Sequence, residues 1–341
     1  MFSVTLIRII TRISGAAFAL SLTVSLAAAE PVEIESSQIT AFPGASFMDS
    51  SIQFAGGLLL NSSSANFGGF SGLRFLNNGQ RLIAISDVAN WLTAVVDRDD
   101  NKKPIGLKNA ELFCLCQRNG EPYASKRWSD AEALEIDGNT AFVAFERLHR
   151  INRYRLNDDF SPGPPTQATA SLQPLGLNYN KGLEGLAVIP SGQYAGNFIA
   201  LSEDTRTGEG YHRGFIISER EIHEFSVVEE DGYATTDAAF SPSGDLLLLE
   251  RYYSLLGGIG MRIRSTPLEA IHPGAILAPK PLLVSRAFTV IDNMEALAVW
   301  QDSDGQTRIS VLSDDNFSDR QKTLLFEFTL LDERQAPASE R

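Results

Sequence analysis

The 341-residue sequence predicts an all-β fold, a β-propeller of five four-stranded blades, on three observations. One hairpin pattern occurs five times. Its copies start 52–61 residues apart, a period that belongs to solenoids, propellers or arrays. Each of the first four hairpins is followed by two more strand-like stretches, and long amphipathic helices are absent, which favours blades over a parallel α/β sheet.

The hairpins open with a polar residue, a small residue and then an apolar strand. They begin at Ser71-Gly72-Leu73, Glu132-Ala133-Leu134, Glu184-Gly185-Leu186, Asp237-Ala238-Ala239 and Glu295-Ala296-Leu297. A glycine-containing turn follows in each, at Asn78-Gly79, Asp137-Gly138, Ser191-Gly192, Ser243-Gly244 and Asp304-Gly305. The second strands end on an acid, at Asp87, Glu146, Glu203, Glu250 and Asp314. The outer strands are expected at Trp91–Val96 and Leu107–Leu115, then Ile151–Leu156 and Ala168–Leu175. Gly214–Ile217 and His223–Val228 serve the third copy, Gly260–Arg264 and Pro281–Arg286 the fourth. The fifth copy has only Thr323–Leu330 before the chain ends, so its outer strand is expected from Val32–Thr40, which closes the ring. The stretch Ser51–Leu60 leaves a sixth blade open.

The N-terminus reads as an address. Arg8 and Arg12 precede an apolar stretch, Gly15–Leu26, and three alanines, Ala27–Ala29, precede Glu30. This is the layout of a secretory signal peptide cleaved after Ala29, and it implies a periplasmic or extracellular protein. Residues 30–341 are expected to form a single domain with no membrane span. The formal charge of −13 argues against nucleic acid, whose phosphates need clustered Lys and Arg. Two cysteines and four histidines are too few for a disulfide framework or a cysteine-rich zinc module. Cys114 and Cys116 read as small apolar residues of an outer strand, where so short a separation is poor for a disulfide. Gly69-Phe70-Ser71-Gly72-Leu73 lacks the final glycine of a nucleophile elbow and begins a strand.

Hairpin geometry sets the start of each first strand beside the end of the second. Two acidic columns are therefore expected on one face, around the channel mouth. One is Ser71, Glu132, Glu184, Asp237 and Glu295; the other is Asp87, Glu146, Glu203, Glu250 and Asp314, extended by Asp204 and Asp315. Carboxylates so crowded repel one another unless a cation neutralises them, and Ca²⁺ takes six to eight oxygen ligands. Asp87, Glu132, Glu184, Glu295, Asp314 and Asp315 are the candidate metal ligands, with Ca²⁺ the expected ion. Arg147, Lys181 and Arg251 are the candidate phosphate-binding residues, because metal and Arg together suit a phosphate ester. The same acids can instead hydrogen-bond amides of a neighbouring blade and lock the ring.

Several separated runs carry a family resemblance. They are Phe67–Leu73, Ala144–Ile151, Asn180–Ala187, Leu249–Gly258, Ile291–Ala298 and Leu312–Phe317. Together they resemble the phytase-like esterase family of secreted bacterial proteins, from about Phe67 to Leu330. The resemblance implies a β-propeller and phosphoester-hydrolase activity tied to the acidic repeat residues. The expected function is thus metal-dependent hydrolysis of a small-molecule phosphate ester. The alternatives are a non-catalytic propeller that binds a ligand or protein, and a lactonase-type metal propeller.

Overall fold

The computed structural model describes residues 29–42, 44–169, 171–254, 258–286 and 291–331. The expected signal peptide lies outside the described residues, Ala29 excepted. Among the described residues no helix is long and apolar enough to cross a membrane.

Five antiparallel-rich sheets form a five-bladed propeller. The inner hairpins of blades 1 to 5 are Phe70–Leu76 with Arg81–Ser86, Ala131–Asp137 with Thr140–Phe145, and Leu183–Val188 with Phe198–Arg206. Ala234–Phe240 with Asp245–Ser254, and Asn293–Gln301 with Thr307–Asp314, complete the set. Both faces of the inner hairpins are largely buried, so successive side chains serve different neighbours. Leu82 and Ala84 pack towards blade 5, whereas Ile83 and Ile85 pack towards blade 2. The apolar interior is accordingly divided into five clusters, one at each blade–blade interface.

Ring closure differs from the expectation in which strand performs it. Ile52–Asn61 is the fourth strand of blade 5 and pairs with Thr323–Leu330. Glu35–Ile39 lies outside it as a fifth strand. Both stretches belong to one sheet, and the described residues form no sixth blade. The N-terminal segment also adds Glu30–Val32 to blade 1 and Ala45–Met48 to blade 4. It therefore staples three blades and covers their edges.

Blade 2 is the irregular one. Its outer strand is two residues, Thr166–Gln167, and the expected strand Ala168–Leu175 ends instead in a 3₁₀ turn at Gln173–Leu175. Pro174 lacks the amide that a ladder would need, and it suits the start of such a turn.

The cysteines also depart from expectation: Cys114 and Cys116 form a disulfide. The outer strand of blade 1 ends at Cys114, and the chain then turns. This brings the two Cα atoms to 5.0 Å, closer than alternate residues of an extended strand, which lie about 6.6 Å apart. A loop this short removes little chain entropy, on the order of 1.5 kcal/mol. The double change Cys114→Ser, Cys116→Ser is therefore expected to lower the melting temperature by only ~3–6 °C. A calorimetric loss of ~10 °C or more would refute this reading.

Candidate active site at the acidic mouth

Every inner hairpin carries the same defect. The register slips by one residue at the start of the inner strand, leaving Ser71, Glu132, Glu184, Thr236 and Glu295 as the unpaired residues of five β-bulges. A bulge re-aims its side chain away from the ladder, and here four of the five enter one cavity. The residue that follows each second strand's pairing at the bulge adds Asp87, Glu146, Glu203, Arg251 and Asp314 to the same cavity.

The two columns are therefore on one face, with a correction in blade 4. There the bulge residue is Thr236, not Asp237, and the second position is Arg251, not Glu250. Glu250 lies one residue deeper, fully buried, where Arg262 and Arg264 grip it through Nε at 2.6 and 2.7 Å. Asp237 occupies the slot that is Gly72, Ala133, Gly185 and Ala296 in the other blades. It accepts from the Leu297 and Ala238 amides, both at 2.7 Å.

The cavity is about 300 Å³ and is lined by eight carboxyl groups and three cations. Asp130 was not among the sequence candidates, yet it is central. One oxygen each of Asp130, Glu132 and Glu146 lie within 4.8 Å of one another, so this group can hold a metal ion. Asp130 is almost fully buried, and its Oδ1, like that of Asp87, has no hydrogen-bond partner. Lys126 bonds Asp87 from the short helix Lys126–Ser129, and Arg147 bonds Asp130. Arg147 has φ 57°, a left-handed turn that folds its side chain back onto the blade it has just left. Across the cavity, Arg251 donates to Glu295 at 2.7 Å and to Glu203 at 3.0 Å. The Gly68-Gly69 turn borders this mouth; a Cβ on Gly69 would stand 2.6 Å from Asp87 Oδ1 and 2.3 Å from the Phe317 ring.

Burial, followed by repulsion from neighbouring acids, drives the carboxyl groups upward. Glu132 and Glu184 are held well above the usual range, and Glu146 is pushed up to about 7. Glu295 and Asp314 are also raised to about 7, burial outweighing the Arg251 charge at Glu295 and an Asn316 amide at Asp314.

The remaining candidates are placed as follows. Asp315 does not line the cavity: it accepts from the Gly69 amide at 3.0 Å and from the Thr323 hydroxyl at 2.9 Å, tying blade 5 to blade 1. Lys181 pairs with Asp204 at 3.0 Å outside the cavity. Glu146 has two contacts, since its Oε1 also takes the Gly182 amide of the neighbouring blade at 2.8 Å. Blade locking and cavity lining thus coexist in one residue.

Solved structures with related shapes include a PQQ-bound aldose sugar dehydrogenase from Streptomyces coelicolor. It is 12% identical with a TM-score of 0.42, over 83% of this chain and 99% of that one. A luciferin-regenerating enzyme is 11% identical with a TM-score of 0.37, over 78% and 93%. The β-xylosidase RS223 is 8% identical with a TM-score of 0.45, over 81% and 94%. Similarity this low ties the chain to none of their activities. No curated protein matches the sequence. A family model described as phytase-like, with the esterase-like activity of phytase, matches residues 65–317, a span that takes in all five inner hairpins and every residue of the acidic mouth. The chain belongs to the phytase-like family.

Proposed function

We propose that the protein is a secreted, metal-dependent hydrolase of phosphate esters, working at the acidic mouth. The observation that carries this is the Asp130, Glu132 and Glu146 group, in which the buried Asp130 Oδ1 takes no hydrogen bond and has only Lys126 Nζ, at 3.4 Å, as a counter-charge. An all-oxygen donor set of this density fits a hard cation, and Ca²⁺ best tolerates irregular carboxylate cages. Asp87, Glu184 and Asp314 stand around the same cavity to complete the shell.

When bound, the cation supplies charge neutralisation and Lewis-acid polarisation of a phosphoryl oxygen. The chain's own residues do the rest. Lys126, Arg147 and Arg251 line the cavity and present N–H groups to the remaining phosphoryl oxygens. Each already bonds a carboxylate, so an arriving phosphate shares an existing cation instead of meeting bare acids. Glu295, oriented by the Arg251 guanidinium at 2.7 Å, lines the same cavity and is the carboxylate assigned to accept a proton from an attacking water. The N-terminal address sequence supports action outside the cytoplasm.

The test is hydrolysis of phosphomonoesters and phosphodiesters by the purified protein, with Ca²⁺ and after chelation. Glu132→Gln is expected to lower kcat/KM at least ~100-fold, since even outer-shell changes at metal sites cost about 10–100-fold. Absence of hydrolysis of every ester at saturating metal would reject the proposal.

A further inference from the structure

Exposed apolar side chains flank the residues of the acidic cavity, and two of them, Tyr179 and Phe317, lie against groups at its mouth; together they form its collar. Among the described residues, seven large hydrophobic side chains are exposed, and five of them lie within two residues of a cavity residue in the chain. Val88 follows Asp87. Trp128 lies on the short helix Lys126–Ser129, between the cavity residues Lys126 and Asp130. Tyr179 precedes Asn180, and the Arg147 guanidinium sits 5.7 Å from its ring centre. Tyr253 is two residues beyond Arg251 on one strand, so both project from the same side, with Tyr253 a step further out. Phe317 follows Asn316, and its ring meets the same Gly69 position as Asp87.

These residues come from different blades and connections, so no single packing defect explains them. Exposed rings gathered at a concave polar site mark a binding surface. The cavity wall itself is carboxylate, amide, hydroxyl, ammonium and guanidinium, and offers no place for an apolar group. Eight carboxyls against three cations, each already paired, also disfavour a polyanion carrying many phosphates.

We propose that the substrate is a phosphate ester of an aromatic alcohol, its single phosphate in the acidic cavity and its ring against the collar. This rests on the hydrolase reading for the phosphate end only; the collar makes a separate claim about binding.

The chain has a built-in reporter. Of its three tryptophans, Trp91 and Trp300 are buried, and Trp128 is 49% exposed. Titration with phenylphosphonate in the presence of Ca²⁺, which is not hydrolysed, is expected to shift Trp128 emission and protect it from iodide quenching. Binding should be ~10-fold or more tighter than that of methylphosphonate, from one or two ring contacts. Tyr253→Ser should remove most of that preference. Its melting temperature should stay within ~2 °C of wild type, because the side chain is 66% exposed. Equal affinity for the two phosphonates overturns the proposal, as does tighter binding of inositol hexakisphosphate. A Trp128 response to phosphatidylcholine vesicles but not to phenylphosphonate overturns it in favour of a membrane surface. If phenylphosphonate binds preferentially but no ester is hydrolysed, the hydrolase reading fails and the aromatic site stands.

Discussion

Replacing Arg74 with methionine is expected to lower the melting temperature by ~10 °C or more, although Arg74 lies outside the acidic mouth. Its guanidinium plugs the central channel and touches every blade. It donates to the carbonyls of Leu73, Leu186, Ala238 and Leu297, from blades 1, 3, 4 and 5, at 2.6–3.1 Å. Blade 2 contributes Glu135, bonded at 2.8 and 3.0 Å, and Asp237 of blade 4 is held at 3.3 Å. The channel would otherwise present inward-facing carbonyls with no donor, and buried acceptors left unpaired are costly. Methionine keeps the apolar stem but leaves Asp237 and Glu135 without their cation. Breaking one side of a buried ion pair costs about 3–5 kcal/mol, and each kcal/mol moves the melting point of a chain this size by roughly 2–4 °C. Adding Asp237→Asn to Arg74→Met should restore part of the loss, because one of the two acids left without a cation, the more deeply buried one, is then neutral. Arg74→Lys should restore little, since three donors on a point cannot match five in a plane. A melting temperature for Arg74→Met within ~2 °C of wild type would show that the channel is held by blade packing alone.

The repeat was legible in the sequence because a blade must announce itself locally. Hairpin turns, alternating strands and their spacing fix most inner and middle strands to within a residue or two. Thr323–Leu330 was legible to the residue. Closure was harder, because Ile52–Asn61 meets its partner from the far end of the chain and carries no local mark of it. The acidic columns followed from hairpin geometry except in blade 4. There Asp237 and Glu250 imitate the pattern but fall one residue off it. Ser86-Asp87, Ser202-Glu203 and Ser313-Asp314 would have aligned Glu250 with the serines and Arg251 with the acids. Asp130 precedes its strand in a slot that holds Gly69, Gly182, Ala234 and Asn293 in the other blades, so it has no acidic counterpart in the repeat and only three-dimensional proximity reveals it. Arg74 likewise stands where three other blades have Ala187, Ala239 and Ala298. A lone large cation in a slot of small residues was its available signal.

Without metal, the protein is expected to lose stability as pH rises from 5 to 8, and Ca²⁺ is expected to abolish that loss. The sign follows from the direction of the shifts. Glu146, Glu295 and Asp314 have folded-state values of about 7, above those of an unfolded chain, and Glu132 and Glu184 are also raised. The folded state therefore binds more protons than the unfolded state between about pH 4 and 7. Stability is fully present below the unfolded values and declines as pH climbs through 7, when buried carboxylates are forced to ionise side by side. A cation reverses the balance by favouring the ionised forms, so its affinity grows over the same pH range. At a hundredfold excess over its dissociation constant it adds ~2.7 kcal/mol, or roughly 5–10 °C for a chain of this length. At pH 8 the gap between Ca²⁺-loaded and chelated protein should thus be widest, and at pH 5 it should nearly close. Glu132→Gln separates metal binding from general destabilisation. It removes one forced charge, so the chelated variant should melt above chelated wild type at pH 8, while its response to Ca²⁺ largely disappears. Thermal melts that coincide with and without Ca²⁺ at pH 8 would leave the acidic mouth as a structural feature and withdraw the cation from it.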